Sequence, residues 1–407
     1  MSTPKIMIIG AGLGGLALAQ GLARAGFDVV VFERDESPES RAQGYRISIR
    51  AMGLAALKAL LPRSRFERLD LAKVADVGDG FVYATSQMKA LMKIPLGKDA
   101  VVQLLRTELR GVLLEGVNIQ WNKRLISCEE HQEQVIAHFE DGSTASGDLL
   151  VGCDGGASRV RELMKSMGAR SLPRVFANGL VTFGGQIDRS SEWNELLPLN
   201  HAGFVRFLGP HGHSIGVCFS ERKDRSPTVY WALSEEMGEK EASWYQLGSE
   251  PTNRERLLEH CKQLMNRKGW HPNLRKLIHQ TRPSELMEPW LLRTTQFSKN
   301  DQLPMVLSGR ITLLGDAAHS MPPDRGLGGN NVLEDARLLT SILGNPKEDI
   351  VWPRAIAEYE RQMFARAKKA VEESTKAAKM HIIKNPVSIW MRNAILKVIG
   401  IVIAMKS

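Results

Sequence analysis

Cysteine is scarce in this 407-residue chain: Cys128, Cys153, Cys218 and Cys261 stand far apart, and no C-x-x-C pair occurs. That spacing excludes a thiolate zinc site and a disulfide framework. It suits a reducing compartment, so a cytoplasmic setting is expected, with no metal centre. Aromatic residues reach only 6%, and none interleave with a basic run, so no nucleic-acid surface is expected. No stretch reaches 18 uncharged apolar residues. The tail Pro386–Met405 comes nearest, but Arg392 and Lys397 interrupt it, so no transmembrane helix is expected. The apolar run Ile6–Ile9 starts almost at once and leads into glycines rather than a cleavage site, so no signal peptide is read here.

What is present is ample core material. Hydrophobic residues make up 43% and charged residues 24%, which fits a globular chain of two or three domains. Lys and Arg exceed Asp and Glu by 54 − 45 = 9. Such an excess gives a basic surface, or serves an anionic cofactor, substrate or membrane surface.

The first fifty residues carry a dinucleotide fingerprint. Ile6–Ile9 reads as a buried strand, Gly10-Ala11-Gly12-Leu13-Gly14-Gly15 fits G-x-G-x-x-G, and Leu16–Arg24 has helical spacing closed by Gly26. Val29–Phe32 is a second strand ending at Glu33, 18 residues after Gly15. Gly10 permits the tight turn, Gly12 lets a pyrophosphate approach the backbone, and Gly15 lets helix and strand pack closely. The helix N-terminus offers N–H groups to phosphate. Glu33 suits the two hydroxyls of an adenosine ribose and would repel a 2′-phosphate, so the tightly held nucleotide is NAD or FAD.

Two further loops of related chemistry follow. Ile311–Leu314 reads as a strand leading to Gly315-Asp316-Ala317-Ala318-His319-Ser320, then Met321–Arg325, then Gly326-Leu327-Gly328-Gly329-Asn330-Asn331 opening a helix. A strand-end Asp suits ligand hydroxyls, and a glycine turn at a helix start is a second anion site. Between the two ends, Leu149–Gly152 runs into Cys153-Asp154-Gly155-Gly156 and another helix.

Taken together, the three motifs resemble the flavin-binding fingerprints of the class A FAD-dependent monooxygenases, the p-hydroxybenzoate hydroxylase-like family, over roughly Lys5 to Arg366. The resemblance implies bound, non-covalent FAD. It assigns cofactor contacts to Gly12, Gly14, Gly15, Glu33 and the adjacent Arg34, and to Gly44 and Arg46 in Gln43-Gly44-Tyr45-Arg46-Ile47. It adds Arg106 for the phosphate and ribityl region, Asp154 for a role partly structural and partly tied to FAD and the reductant, and Asp316 for the ribityl chain. By the same resemblance Gly326 is a further cofactor contact, and Gly328, Gly329 and Asn330 match the backbone at the flavin O2/N1 edge, where a helix N-terminus would stabilise the reduced anion. Cys153 departs from the family's usual alanine and reads as a small buried residue. Arg325 is charged where many relatives have a small residue. It is the one candidate catalytic side chain, for an anionic substrate or the peroxyflavin, and a solvent-facing loop arginine is its other reading.

The implied fold is α/β. A Rossmann-like (GR2-type) FAD-binding domain spans residues 1–70, 100–171 and 290–345. An inserted antiparallel-sheet substrate domain spans 71–99 and 172–289, and a helical C-terminal extension spans 346–407. Gly179–Ile187, Gly203–Leu208, Ser214–Phe219 and Thr228–Leu233 read as strands. Thr182, Gln186, Phe207, Tyr230 and Trp231 are candidate pocket residues, each also suited to core or surface. His201, His211 and His213 lack a carboxylate at ligand spacing. The helix after Pro386, with Leu396, Ile399, Gly400 and Ile403, suits packing on the protein's own body, a weak membrane contact or a homodimer contact.

Only one complete nucleotide fingerprint occurs, so NADPH or NADH is expected as a transient reductant. The family's scheme then uses O2 through a flavin C4a-hydroperoxide to hydroxylate or epoxidise an aromatic or other electron-rich small molecule, with secondary metabolism as a setting. A flavin-dependent reductase of the geranylgeranyl-reductase type and a non-catalytic FAD-binding regulator are the alternatives. A flavin halogenase is disfavoured by the lack of W-x-W-x-I-P.

Overall fold

Buried apolar runs build the first sheet. The computed structural model describes residues 3–40, 46–69, 80–95, 101–131, 133–169, 171–188, 203–222, 225–237, 251–267, 269–287, 289–297 and 309–405. Five parallel strands lie in the order Ile311–Leu313, Leu149–Gly152, Lys5–Ile9, Asp28–Phe32 and Ile119–Gln120. Ile6, Met7, Ile8, Leu149, Leu150, Val151 and Leu313 are inaccessible to solvent, as strands covered on both faces require. The helix Leu13–Ala25 begins three residues before the expected Leu16, because Gly14 and Gly15 are themselves helical. Gly26 closes it in the left-handed region at φ +98°, satisfying late carbonyls as a helix end requires. An antiparallel meander, Leu125–His131, Gln134–Phe139 and Thr144–Gly147, belongs to the same unit.

The chain divides into two compact units: residues 1–72, 102–176 and 293–375, and residues 73–101, 177–292 and 376–407. The C-terminal segment therefore does not stand apart as a third body. In the helix Trp352–His381, Ile356, Tyr359, Met363 and Phe364 complete the first core, and Ala378 packs with Leu180 and Leu292 in the second unit. A long amphipathic helix gains more by burying its apolar face on an existing core than by forming one of its own.

The second unit holds a seven-stranded sheet. Its order is Trp290–Gln296, Arg174–Asp188, Arg225–Glu236, Ser214–Arg222, Phe204–Leu208, Gly80–Thr85 and Ala90–Pro95. The sheet is mixed, where an antiparallel one was expected: Phe204–Leu208 and Gly80–Thr85 pair in parallel. These two strands are more than a hundred residues apart in sequence, so no hairpin imposes opposite directions on them. One face is closed by the helices Pro251–Asn266 and Pro272–Gln280, around Phe183, Phe207, Phe219 and Trp231.

Three pocket candidates are thereby core residues. Phe207 and Trp231 are almost fully buried, and the Trp231 indole N–H donates to Thr281 Oγ1 at 3.0 Å. Thr182 is buried with its hydroxyl 3.0 Å from Ser234 Oγ. Gln186 and Tyr230 are half-buried and face each other across the Arg174–Asp188 and Arg225–Glu236 strands. His213 belongs to a buried network, 3.5 Å from Glu235, which also meets His260 at 2.8 Å. His201 lies outside the described residues.

The helix Pro386–Ala404 is long and apolar enough to cross a membrane, by length and composition only. Its charges Arg392 and Lys397 are outweighed by the valines and isoleucines around them.

Candidate functional site

Three loops leave the C-terminal ends of adjacent parallel strands, where open α/β sheets place their ligands. The first follows Lys5–Ile9. Gly10 has φ +109°, and a Cβ there would meet the Cys153 carbonyl oxygen at 2.6 Å, so only glycine fits. A Cβ on Gly14 would lie 2.3 Å from Val332 Cγ2, so this glycine lets the first helix approach the C-terminal motif helix Gly328–Leu343. Gly15 is closer still to its surroundings, with an added Cβ 2.0 Å from the Gly10 carbonyl oxygen. Gly12, which precedes the helix, differs: among the described residues nothing lies within 4 Å of an added Cβ. The backbone at this helix N-terminus is open to a ligand.

Glu33 braces that loop. Its Oε2 accepts from the Ala11 N–H at 2.6 Å and its Oε1 from the Asp35 N–H at 3.1 Å. The carboxylate keeps lone pairs for further donors while fixing the turn beside it. Arg34 next to it is exposed.

Arg106 opens the helix Arg106–Leu114, and Arg110 follows one turn later on the same face. Sequence reasoning missed Arg110, although its i,i+4 spacing from Arg106 was a usable signal. Its guanidinium donates to the Ala11 carbonyl at 3.2 Å and to the Pro38 carbonyl at 2.8 Å. Burial, and then the Arg106 charge, hold its pKa below the ordinary arginine value, against the pull of Glu33, Asp35 and Glu39. Two neighbouring cations beside an open helix N-terminus form a positive site suited to a diphosphate.

The second loop is mainly structural. Asp154 Oδ1 accepts from the Ser158 hydroxyl at 2.5 Å, and Oδ2 accepts from the Arg159 and Val160 N–H groups at 2.6 and 3.2 Å. It thus caps the helix Arg159–Ser166 jointly with Ser158. Burial raises its pKa, with those hydrogen bonds opposing. Arg161 ties this loop to the third by donating to the Gly156 and Ala317 carbonyls. Burial also pushes the Cys153 thiol well up, which keeps it protonated and unreactive.

The third loop carries Asp316. Its surface is accessible, yet protein surrounds it so densely that burial raises its pKa, with His319 and Arg106 pulling the other way. Further on, Gly326 sits at φ +62° and the helix Gly328–Leu343 begins. Nothing among the described residues lies within 4 Å of a Cβ added to Gly328 or Gly329. Asn330 is spent on scaffold: it donates to the Ser48 and Gly326 carbonyls, both at 2.9 Å, and accepts from the Arg50 N–H at 2.7 Å. That clasp binds the strand Arg46–Arg50, in which Arg46 is half-buried, to the glycine turn. Gly44 lies outside the described residues.

Arg325 ends a short turn, Pro323–Arg325, and pairs with Glu373 at 3.5 Å while remaining about half exposed. Its carbonyl accepts from Arg50 at 3.0 Å. Burial, and then the nearby Arg325 charge, lower the Arg50 pKa, with Glu373 opposing.

The residues present fit FAD. Among the described residues, two helix N-termini are bare of side chains, at Gly12 and at Gly328-Gly329, with a pair of arginines near the first and an accessible acid at Asp316. The family model described as an FAD binding domain matches residues 3–374. The chain is 28% identical over 395 residues to the FAD-dependent monooxygenase thnD of Trichoderma harzianum, covering 91% of each chain. It is 30% identical over 354 residues to 6-hydroxynicotinate 3-monooxygenase of Bordetella bronchiseptica, covering 83% of this chain and 82% of that one. In fold it is similar to Klebsiella pneumoniae HpxO complexed with FAD and uric acid, with a TM-score of 0.75 and 22% identity over 97% of this chain and 92% of that one.

Proposed function

The chain belongs to the class A flavoprotein monooxygenase family and is an FAD-dependent monooxygenase, and from that premise we propose that it uses NAD(P)H and O2 to hydroxylate or epoxidise an aromatic or other electron-rich small molecule. The observation that carries this reading is the pair of bare helix N-termini, Gly12 and Gly328-Gly329, with Asp316 accessible on the third loop. When bound, FAD supplies the redox chemistry, taking hydride from the nicotinamide and activating O2. The protein supplies binding, orientation and charge. The N–H groups at Gly12 would hold the diphosphate together with Arg106 and Arg110. Glu33 would take adenosine ribose hydroxyls and Asp316 those of the ribityl chain. The N-terminus at Gly328–Asn330 would offer fixed dipoles to negative charge on the reduced ring. Arg325 is assigned to the reacting edge, where its guanidinium would favour an anionic substrate or developing oxyanion.

The test is oxygen uptake by the FAD-loaded protein with NADPH or NADH across a panel of phenols, hydroxylated heteroaromatics and alkenes. The expected result is stimulated uptake with one oxygen atom in the product. Substrate reduction without oxygen uptake would instead assign the reductase reading. Nicotinamide oxidation unaffected by every compound would favour a non-catalytic regulator.

A further inference from the structure

The helix Pro386–Ala404 has two faces, and both are apolar. One packs within its own unit. Leu396 joins Tyr83, Leu91, Met92 and Leu208, and a Cβ on Gly400 would lie 2.8 Å from the Leu91 carbonyl oxygen, so the helix backbone sits close on the strand Ala90–Pro95. The other face carries Val387, Trp390, Met391, Ile395, Val398 and Val402, all exposed. Their spacing of 0, 3, 4, 8, 11 and 15 residues aligns them in one stripe. Trp390 is 70% exposed and Val398 61%. A contiguous stripe of this kind marks an interaction surface, whereas scattered apolar residues do not.

Charge identifies the occupant. From Ser374 onward the sequence has no Asp or Glu; of its cations Lys376, Lys379 and Lys397 are exposed, whereas Lys384 pairs with Glu236 at 2.7 Å and Arg392 is buried. A second copy seated on this stripe would bring like charges together, whereas anionic lipid headgroups would neutralise them. We propose that this helix docks the protein on the surface of an anionic bilayer, lying in the membrane plane with the Val387–Val402 stripe in the acyl boundary. Trp390 has the amphipathic ring that favours the headgroup level, and exposed Lys397 lies at the edge of the stripe, within reach of phosphate.

The packed face keeps the helix from spanning. Insertion would strip Leu396 and Gly400 from the Ala90–Pro95 strand. It would also carry Arg392, now buried and donating to the Met380 carbonyl and Asn393 Oδ1, into hydrocarbon. Asn385 caps the helix start by accepting from the Val387 and Ser388 N–H groups.

The experiment is co-sedimentation of the full FAD-loaded chain with vesicles of phosphatidylcholine alone and of phosphatidylcholine containing phosphatidylglycerol, alongside W390E and V398E. Both variants alter exposed residues, and flavin content with circular dichroism checks their folding. The expected result is binding at least about tenfold stronger to the anionic vesicles, weakened by salt and lost in the variants. Equal binding of wild type and variants, or none to anionic vesicles, overturns the proposal. So does a concentration-dependent dimer that the variants abolish in the absence of vesicle binding, or resistance of the membrane-bound protein to alkaline carbonate, which would mark a span.

Discussion

Asp335 and His319 form a fully buried pair, with Nε2 of the imidazole donating to Oδ2 of the carboxylate at 2.6 Å. The same oxygen accepts the Gly315 N–H at 3.0 Å, and Arg366 donates to the other. One acid thus anchors the turn that presents Asp316, from twenty residues away on the following helix. Burial works against the charge on both partners, but their mutual attraction prevails: the Asp335 pKa is lowered and the His319 pKa raised.

Removing the acid from this pair is expected to cost about 3–5 kcal/mol in Asp335→Asn, because buried His319 and half-buried Arg366 lose their counter-charge. The pair's contribution is present above the ordinary carboxylate range and is lost as pH falls through the lowered Asp335 pKa. On the alkaline side it is full below the ordinary imidazole value and lost as pH rises through the raised His319 pKa. Urea unfolding across pH checks this; a wild-type stability curve parallel to that of the variant would refute it.

Asp316→Ala is expected to weaken FAD by about 1.5–3 kcal/mol, the worth of a hydrogen bond to a charged group. Burial raises the free Asp316 pKa, and a donated ribityl hydroxyl favours the ionised form. FAD affinity should therefore fall as pH drops through that raised pKa, and the variant should lack this component. Flavin fluorescence titration reads both, and an unchanged dissociation constant would remove Asp316 from the site.

Arg110→Ala should reduce FAD affinity roughly tenfold and flatten its salt dependence, since one cation beside the diphosphate is lost. Arg110→Lys should recover part of the charge effect but not the two carbonyl contacts at Ala11 and Pro38. Riboflavin, which has no phosphate, serves as the control: equal loss of riboflavin and FAD binding would make Arg110 a structural brace alone.

Arg325→Ala should leave FAD binding intact and divert reducing equivalents to hydrogen peroxide, by roughly 2–4 kcal/mol in the oxygen-transfer barrier. The readout is peroxide released per product formed. Glu373→Gln releases the arginine from its 3.5 Å partner without removing the cation, and should change that ratio less. An unaltered ratio in Arg325→Ala would leave a surface ion pair.

The sequence by itself determined the parallel sheet and the places where its loops open. Strand, glycine turn and helix are coded locally, by apolar runs, by positions such as Gly10 that admit no side chain, and by the acid at the end of a strand. Tertiary structure decided which polar groups are free to meet a ligand. Asp154, Asn330 and much of Glu33 are engaged by backbone groups, some from loops distant in sequence, whereas Asp316 remains accessible. It also decided that Phe207 and Trp231 are core and that a parallel pair enters the second sheet. Burial and pairing depend on what arrives from far along the chain, and local periodicity carries no record of those partners.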